Sequence, residues 1–391
     1  MTITELRWTR WATFTLFFAN GFGFGAWASA IPPLKIALGL SAASLSIALL
    51  AMAAGAVFMM QVCGSLTQHL GGTGRATRLA SLVFAPVLML PAMSPNLAML
   101  IVAAALLGAT SGLMDVAMNA HATVVEEQWR TPIMSSFHAG FSIGGLAGTG
   151  FGALLLAYGT PTHWLMVPTA MIVAILVLGA APHLGTGENR HAGGTALQLP
   201  ERRLIGLAAI ALFCFLMEGA MADWSGLYLT TVGVSTASAA AGYGAFSSTM
   251  VLGRLLGDRI VKAFGRSHVV TVGALVAAMG LMLAVAIPHL VAIVIGFALV
   301  GAGLSNVVPS LFSASARLGK NAASGIAAAA TAGYAGLLTG PPLIGAVAAH
   351  SSLRAGMAVL AAVAFLAVII SLRSRVIGGR EDGPIAPDTL S

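Results

Sequence analysis

Long apolar stretches alternate with short polar breaks along the whole chain. Each stretch is close to the ~20 residues that an α-helix needs to cross the hydrocarbon core of a bilayer. The pattern therefore predicts an all-α membrane protein with twelve transmembrane helices. The expected spans are 11–33, 43–66, 77–94, 97–121, 132–158, 163–181, 204–231, 237–257, 268–287, 290–314, 321–349 and 353–373.

The longest polar interruption, residues 182–203, divides these helices into two sets of six. We expect an N-terminal bundle over 1–181, a cytoplasmic linker over 182–203, a C-terminal bundle over 204–375 and a polar tail over 376–391. The two sets look like weak repeats, because LLGATSG (Leu106–Gly112) in helix 4 corresponds to LVGAGLS (Leu299–Ser305) in helix 10. Parallel six-helix repeats of this kind are typical of two-bundle membrane transporters.

Composition supports the membrane assignment. Hydrophobic residues make up 58% of the chain and charged residues only 8%, whereas soluble domains carry about 25% charged residues. The mean hydropathy is +0.93. The net charge of +7 is not clustered in a soluble domain. We therefore expect the lipid bilayer as a partner and no nucleic acid.

The distribution of basic residues predicts the orientation. Seventeen of the 19 Lys and Arg residues lie in segments on the side of the N-terminus, and only Lys35 and Arg354 lie on the other side. Cytoplasmic loops of membrane proteins carry an excess of Lys and Arg. We therefore expect a multi-pass protein of the bacterial inner membrane with both termini in the cytoplasm.

The sequence contains no motif for an enzyme or a cofactor. Cys63 and Cys214 lie in apolar runs, and no Cys/His spacing typical of a metal site accompanies them. The stretch Gly71–Gly74 lacks the Lys that a phosphate-binding loop requires. We expect no metal, no cofactor and no enzyme activity.

Charged residues after helix 8 carry a family resemblance. Gly257-Asp258-Arg259 and Gly265-Arg266 resemble a loop motif of the major facilitator superfamily, and the resemblance covers nearly the whole chain. It implies the major facilitator fold, a monomer and transport by alternating access. In that family the motif caps a neighbouring helix and latches the cytoplasmic side. The resemblance therefore implies gating roles for Asp258, Arg259 and Arg266.

Two other places bear on gating. In the first half of the chain Gln68 stands where the family usually has an acid, so we expect that latch to be weaker or differently made. Gly340-Pro341-Pro342 should kink helix 11, which makes Gly340 and Pro341 further gating candidates.

Helices 4 and 5 are similar to those of the superfamily branch that contains the proton-coupled fucose permease. The similar segments are GLMDVAMN (Gly112–Asn119) and SSFHAGFSIGGLAG (Ser135–Gly148). The resemblance matches Asp115 with an acid that is important for proton coupling and His138 with an amide that contacts substrate. It departs at Ala28, where fucose permease has a further acid. The proton-coupling scheme of fucose permease therefore cannot be carried over as a whole to this chain.

Acids inside the apolar helices are the strongest chemical signal. A charge there costs roughly 2.5–3.5 kcal/mol on insertion scales, and such residues commonly mark proton or substrate pathways. Asp115 shares a helix face with Asn119 and is the first candidate for the coupling proton. Because Asp115 falls in the cytoplasmic third of its predicted helix, the alternative is a structural acid paired with an Arg. Glu218, near the middle of helix 7, is the second candidate for the proton.

Polar and aromatic residues on several helices are candidates for substrate contact. They are Asn20 and Trp27 in helix 1, Asn119 in helix 4, His138 in helix 5, Asp223 and Trp224 in helix 7, and Asn306 in helix 10. Each has an alternative explanation. Amides and His138 also serve as polar packing groups, tryptophans also mark the membrane interface, and Asp223 also fits a solvated acid near the outer end of its helix.

These patterns favour a secondary transporter that takes up a small polar solute, such as a sugar, together with protons. An efflux antiporter for amphipathic compounds is the alternative, which the 18 methionines and the low polar content of the helices keep open. Helix 5 lacks the Gly-Pro pair that is usual in drug/proton antiporters of the superfamily, which argues mildly against it. A non-transporting membrane sensor is less favoured, because no signalling domain accompanies the helices.

Overall fold

The structure is a computed structural model that describes residues 2–40, 42–185, 202–233 and 236–374. Within these ranges it does not describe the side chains of residues 32, 42, 43, 46, 236–241 and 341. Most of the predicted linker (residues 186–201), the whole predicted tail and the side chain of the gating candidate Pro341 therefore lie outside the described residues.

Helices make up nearly all of the described chain. The α-helices are α1 (Ile3–Ala37), α2 (Ala42–His69), α3 (Thr73–Val87), α4 (Leu97–Trp129), α5 (Met134–Ala157), α6 (Met166–Ala180), α7 (Ile205–Thr230), α8 (Thr236–Phe264), α9 (Arg266–Ala286), α10 (Leu290–Leu304), α11 (Val307–Leu318), α12 (Ala322–His350) and α13 (Leu353–Arg373). Short 3-10 helices, Thr162–Trp164 and Ala181–His183, flank α6. No strand occurs among the described residues.

Ten segments of the described chain are apolar and long enough to cross a membrane. One of them, Leu290–Leu318, contains both α10 and α11. The 15-residue α3 and the longer α8 are not among the ten. The protein is therefore a multi-pass helical membrane protein, and the count of twelve spans stays a prediction.

Contacts between helix ends define one face of the bundle. Arg10, near the start of α1, lies 4.6 Å from the ring centre of Trp129 at the end of α4. Glu126, also near the end of α4, pairs with Arg266 at the start of α9. We call this end of the bundle, where α1 begins and α13 ends, the terminal face. The first half is α1–α6 and the second half is α7–α13.

Close helix pairs within each half depend on glycine. Gly21 and Gly25 of α1 lie against backbone carbonyl groups of α5, where a Cβ atom would collide. Gly336 of α12 lies in the same way against a carbonyl group of α7 in the second half. Small residues at such crossings let membrane helices approach closely. The matching pairs, α1 with α5 and α7 with α12, agree with the repeat that the sequence indicates.

Several helix ends differ from the expected spans. Helix α4 continues to Trp129 and α8 to Phe264, whereas the expected spans ended at residues 121 and 257. Apolar character ends earlier than backbone hydrogen bonding does, because a helix can leave the membrane and continue with charged residues. The segments expected as loops after helices 2 and 8 are therefore largely helical, and the expected helix 10 is interrupted at Ser305-Asn306.

Candidate functional site

Asp115 lies near the middle of α4, which is longer than the expected span of residues 97–121. It is the nineteenth of 33 residues in Leu97–Trp129. Because the charged last turns of α4 extend past the apolar run, the place of Asp115 in the cytoplasmic third of the membrane span stays a prediction. Glu218 is the fourteenth of 26 residues in α7. The two candidate proton sites therefore both lie near the middle of their helices.

Asp115 has a hydrogen-bond partner but no counter-ion. Asn119 Nδ2 donates to Asp115 Oδ1 at 3.1 Å and to the backbone oxygen of Asp115 at 2.8 Å. No basic residue of the described chain forms an ion pair with this carboxyl group, so the alternative of an Arg-paired acid is not supported. Helix α4 packs against α2 of its own half and against α12 of the second half. Asp115 therefore belongs to a helix at the boundary between the two halves.

Glu218 has a counter-ion that the sequence pattern did not indicate. Arg254 Nη2 of α8 lies 3.7 Å from Glu218 Oε1, and the two side chains are 10% and 23% exposed. Arg254 Nη1 also donates to Ser142 Oγ of α5 at 2.6 Å, and Arg254 Nε donates to the backbone oxygen of Ser305 at 3.4 Å. A single guanidinium group thus touches α7, the break between α10 and α11, and a helix of the first half.

Sequence analysis counts Arg254 among the basic residues on the side of the N-terminus, and the structure shows it buried inside α8. Arg254 is the nineteenth of the 29 residues of α8, and only 8% of it is exposed. The available signal was its position between the apolar pairs Val251-Leu252 and Leu255-Leu256. A basic residue inside an apolar run indicates a functional or paired charge rather than a loop.

His138 lies between aromatic rings of both halves. It is the fifth residue of α5, and its ring packs edge-on against Phe17 of α1 and Phe312 of α11, with centroids 5.4 and 5.8 Å away. Its Nε2 atom is buried and has no hydrogen-bond partner among the described residues. Buried polar atoms normally have partners. The free nitrogen keeps His138 a candidate for substrate contact.

Asn306 marks the break between α10 and α11. Its Nδ2 atom donates to the backbone oxygen of Gly253 in α8 at 2.9 Å and lies 3.0 Å from Ser305 Oγ. This amide therefore holds α8 against the break, as its packing alternative describes, while Asn306 Oδ1 remains unpaired. Interrupted membrane helices often line substrate sites, so the substrate role of Asn306 stays a prediction.

The other substrate candidates divide into buried and exposed residues. Asn20, Trp27 and Asn119 are buried, and Asn20 Nδ2 lies 3.6 Å from the sulfur of Met118. Asp223 is exposed. The ring of Trp224 lies against Gly345 of α12, and its Nε1 atom has no partner among the described residues. Of these five residues, Asn119 is the one that forms a hydrogen bond with the carboxyl group of Asp115.

Asp258 binds the start of a helix in the opposite half, in the manner that the family resemblance implies. Its Oδ1 atom accepts a hydrogen bond from the backbone N–H of Ser136, the third residue of α5, at 3.1 Å. The first N–H groups of a helix have no intrahelical partner and favour a carboxylate. Arg259 is exposed and forms no ion pair or hydrogen bond with a described residue, so its gating role stays a prediction.

Glu126 is a second carboxylate at the same place, and sequence analysis missed it. Its Oε2 atom accepts from the backbone N–H groups of Ile133 and Met134, each at 2.9 Å. Its Oε1 atom accepts from Arg266 Nη2 at 2.7 Å and from Ser313 Oγ of α11 at 2.9 Å. Because Glu126 follows the apolar run of helix 4, it looks like a loop residue in the sequence. We call these contacts, with those of Asp258 and Arg254, the charged seam.

The contact between α2 and α12, which we call the neutral seam, is differently made. Gln61 Nε2 donates to Thr331 Oγ1 at 2.6 Å. Gln68 Nε2 is buried and has no hydrogen-bond partner in the described part of the chain. The start of α12 is capped by its own Asn321, which accepts from the backbone N–H of Ser324 at 2.7 Å. The structure thus agrees with the expectation of a weaker latch at Gln68.

The two seams hold the halves together at the terminal face. Both seams consist of hydrogen bonds and an ion pair that join described residues of the two halves. All of these contacts lie in the part of the helices nearer to the terminal face. The structure is therefore closed at that face.

Comparisons with known proteins agree with this architecture. The family model of the Major Facilitator Superfamily matches residues 13–338. An uncharacterized MFS-type transporter of Yersinia pestis is 37% identical over 363 residues, which cover 92% of this chain and 94% of that protein. The membrane protein MosC of Rhizobium meliloti is 32% identical over 366 residues, which cover 91% and 88%.

A solved structure shares the fold over nearly the whole length of both chains. It is the crystal structure of FucP, a Major Facilitator Superfamily transporter, in the outward conformation. The TM-score is 0.73 at 16% sequence identity, and the alignment covers 93% of this chain and 97% of FucP. At that identity the likeness shows the fold and leaves the substrate open.

Proposed function

The chain belongs to the major facilitator superfamily, and on that premise we propose that it is a secondary active transporter for a small polar solute, sugar or sugar-like, driven by symport with protons. It crosses the bacterial inner membrane twelve times, acts as a monomer and has both termini in the cytoplasm. The terminal face is then the cytoplasmic face. The two halves expose a central site alternately to each side.

The carboxyl group of Asp115 carries the proposal. It lies near the middle of α4, near the boundary of the two halves, and no basic residue of the described chain compensates it. Keeping an isolated carboxylate inside a membrane protein is costly, and in pumps and transporters such acids serve as proton relays. Asp115 therefore takes up and releases the coupling proton, with Glu218 as the assisting site.

The proposed roles of the other residues follow from where they lie. The unpaired nitrogen of His138 and the unpaired amide oxygens of Asn20, Asn119 and Asn306 are available to a polyhydroxylated solute. Trp27, Asp223 and Trp224 complete the substrate candidates. Asp258, Arg259 and Arg266 gate the terminal face, and Gly340 and Pro341 allow α12 to move.

Likeness to a sugar transporter supports this substrate class. A second FucP structure with the same TM-score and identity is that of the Escherichia coli fucose:proton symporter. The chain keeps an acid in helix 4 and lacks one at Ala28 of α1. We propose that Glu218, on the equivalent helix of the second half, supplies the second acid.

Efflux of amphipathic compounds is the second candidate, and one observation favours it. The polar candidates are set among apolar groups: Asn20 faces the sulfur of Met118, and His138 lies between two phenylalanine rings. Such walls suit a ligand with large apolar surfaces.

Transport by purified protein in liposomes tests the proposal. Capacitive currents are recorded on a solid-supported membrane with sugars, sugar acids, nucleosides and lipophilic cations. We expect a pH-dependent current with a sugar-like solute. Asp115→Asn should abolish proton-driven accumulation and keep counterflow exchange, because the site remains but its proton does not. Glu127→Gln, which alters an exposed acid on the same helix, is the matched control and should transport normally.

Two results would contradict the proposal. Unchanged accumulation in Asp115→Asn would remove Asp115 as the proton carrier. Currents with lipophilic cations alone would establish the efflux alternative.

A further inference from the structure

Arg254 joins a titratable acid of the second half to a helix of the first half. Its guanidinium group lies 3.7 Å from Glu218 and donates to Ser142 Oγ at 2.6 Å. We infer that Arg254 is a positioning residue that makes the contact between α5 and α8 depend on the charge of Glu218. The inference rests on the proposed function and extends it, because it gives Glu218 a role in closing the terminal face besides that of a proton site.

The physical basis is the cost of a buried, uncompensated guanidinium group. Arg stays protonated in proteins, and an unpaired buried charge is strongly destabilising. Within the described chain Glu218 is the only carboxylate within ion-pair distance of Arg254. While Glu218 is ionised, the pair is neutral and the guanidinium group remains in the seam, where it donates to Ser142.

The geometry leaves Glu218 able to accept a proton. Its 3.7 Å separation from Arg254 exceeds the roughly 2.7–2.9 Å of a charge-assisted hydrogen bond, and Glu218 Oε1 has no hydrogen-bond partner among the residues that the structure describes. The other titratable groups that act on the pair are Tyr243 of α8, His138 of α5 and Cys214 of α7, and Asp223 of α7 acts on Tyr243. None of these replaces Glu218 as a counter-ion, so its protonation leaves Arg254 uncompensated.

The direction of the effect follows. Protonated Glu218 leaves Arg254 with a net charge that draws it from the seam towards solvent, so its bond to Ser142 weakens and α5 separates from α8. The terminal face then opens more readily. In a symporter this order is productive, because the proton-loaded transporter is the one that opens to the cytoplasm.

Distance measurements by pulsed electron resonance between the two halves test the inference. Spin labels are placed at Gln128 and Ala263, exposed positions near the ends of α4 and α8 that flank the charged seam. The native Cys63 and Cys214 are 0% exposed and do not compete for the label. The protein is studied in lipid nanodiscs at acidic and alkaline pH, without substrate and without a proton gradient.

In the unaltered protein we expect acid to raise the population with the longer distance. Glu218→Gln should raise this population on the order of tenfold at both pH values and remove its pH dependence. The bond that is lost is the one from the charged Arg254 to Ser142, and losing a hydrogen bond to a charged group has an effect of that size. Ser142→Ala should act in the same direction. The double variant should be no more open than either single variant, because both changes break one connection.

Glu5→Gln is the matched control. It makes the same chemical change at an exposed acid, and Gln still serves in the capping box of α1. Glu218→Gln with unchanged distances and pH dependence would overturn the inference, and so would additive effects in the double variant. Because nothing is transported in this experiment, its outcome is independent of the Asp115→Asn transport assay.

Discussion

The two seams between the halves occupy equivalent places and are built from opposite chemistry. The charged seam joins α5 to α8 and neighbouring helix ends through two carboxylates, Asp258 and Glu126, and two guanidinium groups, Arg254 and Arg266. The neutral seam joins α2 to α12, where Gln61 donates a hydrogen bond to Thr331 between described residues. In the repeat, α2 corresponds to α8, and α5 corresponds to α12. The contact between α2 and α12 is therefore the counterpart of the contact between α5 and α8.

The chemical difference between the two seams shows how two similar halves can be controlled at only one of their two contacts. Contacts between charges respond to protonation and have a large energy when one partner is lost. A hydrogen bond between neutral side chains contributes about 1 kcal/mol and does not respond to pH. We therefore expect protonation to control the opening of the terminal face at the charged seam. The neutral seam should separate with little cost and without a response to pH.

Glu126→Ala should break this comparison most strongly. The change removes the acceptor for two backbone N–H groups, Ser313 and Arg266, and leaves Arg266, 13% exposed, without its counter-ion. Breaking a buried ion pair costs about 3–5 kcal/mol. We expect a loss of that order in the free energy of unfolding in mixed micelles.

The neighbouring acid is a matched control for this experiment. Glu127 is exposed on the same helix turn, and surface substitutions usually change stability by within about 0.5 kcal/mol. Equal losses in Glu126→Ala and Glu127→Ala would show that the charged seam does not hold the halves together.

Asp258→Ala and Gln68→Ala compare the two seams directly at corresponding positions. Asp258 accepts from the start of α5, whereas Gln68 binds no described partner and α12 caps itself. Losing a cap costs about 0.5–2 kcal/mol. We expect Asp258→Ala to lose about 1 kcal/mol in the same unfolding assay and Gln68→Ala to lose almost nothing. A larger loss at Gln68 would reverse the proposed asymmetry.

Local sequence patterns predicted the fold and one contact that closes the terminal face, the cap of Asp258 on α5. Apolar runs predicted the helices, and the motif at Asp258 implied the cap on α5 that the structure contains. These features need only neighbouring residues, because helix formation and capping are local. Asp115 was found for the same reason, since an acid inside an apolar run is visible in the sequence alone.

The remaining features depend on contacts between distant residues. Glu126 looked like a loop residue, because the apolar signal of helix 4 stops before the helix does, and Arg254 was counted among the basic residues of the cytoplasmic side. Their partners are far away in sequence: Glu218 lies 36 residues from Arg254, and Arg266 lies 140 residues from Glu126. A helix that continues past its apolar run has no periodic signal of its own. The charged seam therefore became visible only in the folded chain.

The neutral seam offers the smallest and most specific prediction. Gln61→Leu removes the donor to Thr331 Oγ1, a bond of 2.6 Å between partly buried side chains. We expect a loss of about 1 kcal/mol in the free energy of unfolding, and the distance between labels at Gln128 and Ala263 should keep its full pH dependence. Adding Thr331→Val should recover most of the loss, because replacing both partners of a hydrogen bond by apolar groups is nearly neutral. A pH dependence that disappears in Gln61→Leu would place control in both seams, since a neutral contact has no proton to exchange.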